Sequence, residues 1–142
     1  MSATSSSPYA ALLLRVSLGA LFLAHGLLKV FVFTLPGTVK FFASLGYPAP
    51  LAYLVVGLEI VGGLLMLSGL FTRAVSVAMI PILLGALLVH LPNGWLFSSP
   101  NGGWEFPALW IVLLAVQALL GPGAFALKLP HASEDSFKPL SA

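Results

Sequence analysis

The stretch LAYLVVGLEIVGGLLMLSGL, residues 51–70, contains one ionisable side chain, Glu59. Crossing the hydrocarbon of a bilayer takes about 20 apolar residues, each adding about 1.5 Å of helix. This segment has that length. A charged side chain near the centre of a membrane helix costs about 3 kcal/mol or more, so such groups turn inward, pair, and serve function. The segment therefore predicts a membrane span that presents Glu59 to neighbouring helices.

Three further segments share its character. One covers about 9–33 and is interrupted by Arg15, His25 and Lys29; one covers 74–91, with Pro81 inside it and His90 near its end. The last covers 104–120 and is stopped by Gly121-Pro122-Gly123. Pro107 suits the first turn of that span, where helical N–H groups have no partner in any case. Pro81 lies mid-helix and predicts a kink, tolerated because neighbouring helices satisfy the freed carbonyl. Residues 36–46 are too short to cross. With Lys40 beside Phe41 and Phe42, they predict a short interfacial helix. The loop 92–103 carries Trp95 and Phe97, aromatics of the kind that anchor at the interface.

The expected fold class is therefore all-α: an integral membrane four-helix bundle over 9–127, with a short interfacial helix between helices 1 and 2. Residues 1–8 are expected to form a disordered N-terminus and 128–142 a polar C-terminal tail. The N-terminal residues lack the basic stretch of a cleavable signal, so the first span is expected to remain as an uncleaved anchor.

Composition agrees and removes several function classes. Of 142 residues, 59% are hydrophobic and only 7% charged, against about 25% charged in soluble domains. Membrane lipid is the expected surrounding. A formal net charge of +2 with no run of Lys or Arg gives no footing for nucleic acid. The absence of cysteine excludes disulfides, thiolate nucleophiles, cysteine-ligated clusters and covalent c-type haem. No GxGxxG follows a strand, so neither flavin nor nicotinamide has a binding fingerprint. No intrinsic cofactor is expected.

With four spans, Arg15, Arg73, Lys128 and Lys138 collect on one side, against Lys29 and Lys40 on the other. The positive-inside rule then places both termini in the cytoplasm, in a multi-pass protein of the bacterial cell inner membrane. Depth follows from helix rise. His25 lies about 12 Å inside the outer end of span one, and Glu59 about 12 Å inside the same end of span two. Lys29 stacks one turn above His25. His90 and Asn93 end span three on that side, and Trp104 and Glu105 begin span four there. Four spans thus direct polar groups into one half of the bundle. The pattern points to a pocket open to the outer side, with Gly57, Gly62 and Gly63 allowing close helix approach around Glu59.

Each residue also has a plainer reading. Glu59 also suits a structural counter-ion for Lys29 or His25, while His90 and Asn93 suit capping of the third helix. Trp104 suits a belt anchor, and Glu105 suits the positive end of a helix dipole. Arg15 and Arg73 read as cytoplasmic anchors. His25, Glu59 and His90 match the inventory of a two-His, one-carboxylate metal site, and the two histidines match a b-type haem pair. No short-spaced HxxxH supports a metal, and the two histidines differ in depth by roughly 10 Å. No metal is expected.

The residues also carry a family resemblance. Arg15-Val16-Ser17-Leu18-Gly19, His25-Gly26-Leu27-Leu28-Lys29 and Phe42-Ala43-Ser44-Leu45-Gly46, the last followed by Pro48 and Pro50, resemble the first half of the DoxX family. Glu59-Ile60-Val61-Gly62-Gly63 and Gly69-Leu70-Phe71-Thr72-Arg73 are similar to its second-span signature. His90-Leu91-Pro92-Asn93-Gly94 and Gly102-Gly103-Trp104-Glu105 are similar to its third-to-fourth-span pattern. The resemblance covers about 14–123.

It implies a four-helix membrane protein of bacteria or archaea. Some relatives are subunits of a thiosulfate:quinone oxidoreductase, and others accompany quinone-detoxification or oxidative-stress enzymes. The expected function is accordingly a redox-associated subunit that binds a quinone or similar small lipophilic molecule in the outer-leaflet pocket. Electrons would come from a soluble or membrane oxidoreductase partner. His25 and Lys29 are expected as donors to the ligand, Glu59 as a proton acceptor or relay, with His25 sharing that relay. His90 is expected near the entrance, with Asn93 beside it. Trp104 is expected to pack on the ring and Glu105 to orient His90 or Lys29. The alternatives are a non-catalytic assembly or structural subunit, and a small-molecule or proton-coupled permeation protein.

The orientation is testable with cysteines in this cysteine-free chain. A cysteine at Ser99 should react with a membrane-impermeant thiol reagent in intact cells, while one at Ser2 or Ser141 should react only after lysis. The reverse labelling pattern would overturn the orientation.

Overall fold

A computed structural model of the chain describes residues 5–130. Five α-helices and one short 3-10 turn make up the described residues, with no strand. Helix α1 spans Ser7–Phe31, α2 Leu35–Ser44, α3 Ala49–Ser68, α4 Thr72–His90 and α5 Glu105–Leu120; the 3-10 turn covers Leu91–Asn93. The bounds of the four longer helices lie within about two residues of the segments read from the sequence. Helix α1 begins at Ser7, inside the stretch read as N-terminal coil. Residues 1–4 and 131–142, including Glu134, Asp135 and Lys138, lie outside the described residues.

Local chemistry sets the boundaries. Proline occupies the first turn of α1, α2 and α3, where its missing N–H removes no helical bond. Thr34 starts α2 by accepting a hydrogen bond from the Gly37 N–H at 3.2 Å. Gly69, in the left-handed region at φ 85°, ends α3 and donates its N–H to Leu65 and Met66 carbonyls, a cap that favours glycine. Only three residues separate α3 from α4, so these helices form a tight hairpin. Helix α4 runs continuously through Pro81, although that residue offers no N–H to the Val77 carbonyl.

Helices α1, α3 and α4 are long and apolar enough to cross a membrane. Helix α5 has 16 residues, roughly 24 Å of rise, a few ångströms short of a hydrocarbon core about 30 Å thick. The loop before it is folded back: Trp104 N–H donates to the Gly94 carbonyl and Glu105 N–H to the Trp95 carbonyl. Exposed Trp95 and Phe97 thus lie at that end of α5. The core lies between the four long helices, where Leu18, Phe22, Met66, Met79, Trp110 and Leu114 are buried together. Leu13, Val61, Val77 and Leu119 face outward, as expected of helices whose solvent is lipid.

The closest helix pair is α1 with α3. A methyl added at Gly63 would lie 2.8 Å from the Leu23 nitrogen and 2.9 Å from the Gly19 carbonyl oxygen, and one at Gly26 would lie 2.7 Å from the Ile60 side chain. Small residues here let the backbones touch. Gly62 faces Met79 of α4 instead, and a methyl at Gly57 would meet nothing within 4 Å. The expected glycine cluster around Glu59 is therefore split. Gly63 serves the α1 seam, Gly62 serves α4, and Gly57 serves neither.

One end of the bundle is closed by polar contacts. Arg15, expected at an interface, is instead 1% exposed. Its Nη1 donates to the Pro122 carbonyl at 2.8 Å, tying α1 to the chain beyond α5. Buried Gln117 donates to the Ala11 and Gly121 carbonyls, and Arg73 donates to the carbonyls of Ala118 and Leu119. The start of α1, the α3–α4 turn and the end of α5 thus meet at one end, as a four-span topology requires.

Gly63→Ala should lower stability in detergent by about 1–3 kcal/mol, because the added methyl strikes backbone that cannot yield. Gly57→Ala should leave the unfolding temperature unchanged or raise it, since alanine is the better helix former. Equal behaviour of the two variants would contradict the seam.

Candidate functional site

Because α3 and α4 are joined by a tight turn at the Arg15 end, they are free to diverge toward the other. A cavity of about 510 Å³ occupies that opening. Its walls come from the first half of α3 (Leu51 to Glu59) and mainly the second half of α4 (Ala78 to His90). Helix α2 contributes Phe41 and Phe42, and α5 contributes Phe106, Pro107 and Trp110. The interior side of α1 supplies His25 and Lys29. A second hollow of about 400 Å³ lies between the end of α1 and α2, and shares Lys29, Phe41 and Phe42 with the first.

At the cavity wall Lys29 Nζ donates to both oxygens of Glu59, each at 2.8 Å. The side chains are 20% and 7% exposed, and this is the ion pair found among the described residues. Its position follows from the glycine seam, since Gly26 lies one turn before Lys29 and its absent side chain faces Glu59 and Ile60. Thr38 of α2 donates to the Lys29 carbonyl at 3.1 Å, holding the interfacial helix against the end of α1.

His25 sits one turn below Lys29. Its Nδ1 lies 2.8 Å from the Leu21 carbonyl oxygen, and its ring meets Trp110 edge-on with centroids 5.0 Å apart. Trp110 also packs on Phe22 and Phe106, at 4.6 and 5.6 Å between centroids. It is 6% exposed, and its indole Nε1–H has no partner among the described residues. A buried donor without an acceptor costs free energy comparable to a lost hydrogen bond.

Of the residues singled out from sequence, His25, Lys29, Glu59 and His90 line one cavity. Asn93, Trp104 and Glu105 do not. Asn93 Nδ2 donates to the carbonyls of Asn101 and Gly102, at 3.2 and 2.9 Å. His90 Nδ1 lies 3.1 Å from the same Gly102 oxygen. Glu105 accepts from the Phe97 N–H at 3.1 Å, so it orients neither His90 nor Lys29. Trp104 caps α5 through its backbone and is 37% exposed. For Asn93 and Glu105 the reason is the folded-back loop, whose peptide groups engage these side chains away from the cavity.

Sequence reasoning passed over Trp110 and Phe106, the aromatics of α5 that do line it. The rise arithmetic used for His25 would have found Trp110. It lies five residues into α5, about 7.5 Å from the end. Gly85 was also missed: it lines the cavity, and a methyl there would meet nothing within 4 Å. Among the described residues no three His, Cys, Asp or Glu side chains gather as a metal site, and Glu59 spends both oxygens on Lys29.

Fold and site together describe an integral membrane protein whose four long helices enclose an apolar cleft with a buried ion pair in its wall. The family model for DoxX matches residues 10–91, and the chain belongs to the DoxX family. It is 43% identical over 117 residues to "Putative oxidoreductase CatD" of Bacillus subtilis (strain 168), covering 82% of this chain and 82% of that protein. It is 31% identical over 134 residues to "Inner membrane protein YphA" of Escherichia coli (strain K12), covering 87% of this chain and 91% of that protein. No solved structure matches the chain.

Breaking one side of a buried pair typically costs about 3–5 kcal/mol, because the remaining charge is left uncompensated. Lys29→Met should therefore lower the unfolding temperature in detergent sharply. Adding Glu59→Gln to it should restore most of the loss. A double variant no more stable than Lys29→Met would show that the pair does not act as a unit.

Proposed function

We propose that this protein is a redox-associated membrane subunit that holds a quinone or similar small lipophilic molecule in the cleft between α3 and α4. The observation that carries this reading is the meeting of a buried ion pair with aromatic and aliphatic walls in one cavity of about 510 Å³. That volume is within the range of small-molecule sites, about 300–1,000 Å³. The oxidoreductase in the name of the Bacillus relative supports the redox association.

In this reading Trp110 and Phe106 contact the ring, in place of Trp104. His25, Lys29 and Glu59 form the polar wall, with Glu59 as proton acceptor or relay and His90 toward the mouth. Asn93, Trp104 and Glu105 act at one remove, by fixing the loop that shapes the mouth. Electrons are supplied by a partner oxidoreductase. The proposed setting is the cell inner membrane with both termini cytoplasmic, in line with the name of the Escherichia relative and the distribution of Lys and Arg.

A second reading, a non-catalytic assembly subunit, draws on the bidentate geometry of Lys29 on Glu59. A carboxylate with both oxygens engaged is well suited to fix helix register.

Gly85 separates the two. Because a side chain at this position enters open space, Gly85→Phe should fill the cleft with little effect on thermal stability. Mass spectrometry of natively purified protein should detect a lipophilic molecule in the wild type and a loss of about tenfold or more in the variant. Equal content in both proteins would contradict ligand binding in the cleft and favour the assembly reading.

A further inference from the structure

The cavity has a polar back and an apolar front. At the back stand His25 and Lys29 of α1, with Glu59 turned toward them, and Trp110 of α5. Its two sides are the α3 face of Leu51, Leu54, Val55 and Leu58 and the α4 face that includes Ala78, Pro81 and Gly85. Burial falls from back to front. Glu59 is buried and Val55 half-buried, whereas Leu54, Leu58, Ala78 and Pro81 line the cavity and are exposed. The sides do not meet: a methyl on Gly85 would find nothing within 4 Å, and α3 packs far more extensively on α1 than on α4. Helices α1 and α2 pack on α3, and α5 packs on α4, so the front between them stays unclosed.

Depth decides what this front faces. Pro81 lies at the midpoint of α4, and Ala78 lies twelve residues before His90, about 18 Å along the helix. In a hydrocarbon core about 30 Å thick, exposed side chains at that depth meet lipid and not water. The other end of the cavity is different: Phe41, Phe42, Leu45 and Tyr47 roof it on the side of the interfacial helix. A ligand from water must pass this roof, while one already dissolved in the bilayer needs only to slide between α3 and α4. Toward Ala78 the sides are wholly apolar, so an aliphatic chain suits that part and a polar group does not. A chain gains little on leaving lipid for a groove lined by leucine, because lipid tails are just as apolar. The opening therefore sets where a chain lies, and the polar back supplies the binding.

We infer that the α3–α4 opening is a side portal to the hydrocarbon, and that the ligand is an amphiphile whose polar ring reaches the Lys29–Glu59 wall while its aliphatic chain leaves between Leu58 and Pro81. This rests on the reading that the cleft holds a lipophilic molecule, and adds to it the chain and the route of entry.

Two photoprobes built on one benzoquinone with a decyl chain separate ring from chain, using the full-length protein in phosphatidylcholine nanodiscs. One carries its diazirine on the ring and the other part-way along the chain. Adducts are mapped by mass spectrometry with and without excess unlabelled decyl benzoquinone. The ring probe should mark His25 and Trp110. The chain probe should mark Leu54, Leu58, Ala78 and Pro81 about tenfold more than Phe41, Leu45 and Tyr47, and the competitor should remove these adducts. Ala78→Trp puts bulk at an exposed lip, so it should cut the chain adducts on Leu58 and Pro81 about tenfold with little change in unfolding temperature. Should that variant fail to fold, the wild-type map decides alone. Chain adducts gathered on Phe41, Leu45 and Tyr47 would overturn the portal while leaving the site of the ring intact. An unchanged yield in a folded Ala78→Trp protein would do the same. Absence of competitor-sensitive cleft adducts from either probe would remove both the portal and the reading beneath it.

Discussion

Helices α1 and α3 approach so closely that one methyl group on Gly63 would strike the backbone of the opposing helix. Much of the rest depends on this contact. In lipid there is no hydrophobic force pressing helices together, so association relies on dispersion, hydrogen bonds and close packing. The seam supplies the packing, and it brings Lys29 of α1 within 2.8 Å of both oxygens of Glu59. Two charges that would each be costly in hydrocarbon become one nearly neutral unit. Without the seam, neither charge has a partner among the described residues.

The opposite pairing, α4 with α5, is built differently. Here Met79, Leu83, Trp110 and Leu114 interlock as an ordinary apolar core. Glycine plays little part. The α3–α4 hairpin links the two pairs at the Arg15 end, where Arg15, Gln117 and Arg73 bind free carbonyls of the chain around the end of α5. With one end fastened in this way, the space between α3 and α4 is left at the other, and a cavity is the consequence. The folded-back loop before α5 completes the architecture, with Asn93 and Glu105 holding its peptide groups.

Much of this was legible in the sequence, and the exceptions have a common cause. Helix positions follow from runs of apolar residues broken by Gly and Pro, so the five elements were recoverable within about two residues. The sharing of one cavity by His25, Lys29, Glu59 and His90 follows from topology and rise per residue, both one-dimensional quantities. What was not legible depends on facing and on loop backbone. Arg15 reads as an interfacial anchor because nothing local shows that carbonyls from residues 122 and 124 come back to meet it. Trp104 and Trp110 look equivalent in a hydrophobic run, yet only Trp110 points its ring into the core cluster. Asn93 and Glu105 have chemistry suited to a ligand, but nearby peptide groups of the loop satisfy them first. Gly57 and Gly63 likewise differ only in whether a helix lies opposite.

The central claim is that the cleft between α3 and α4 is a ligand site and the outward helix surfaces are not. Photolabelling with a diazirine-bearing quinone analogue, followed by mass-spectrometric mapping of the modified residues, addresses it directly. The account predicts adducts concentrated on cleft residues such as Leu54, Leu58, Ile82 and Trp110, and their suppression by excess unlabelled quinone. Adducts spread over Leu13, Val61 and Leu119, undiminished by competitor, would contradict it.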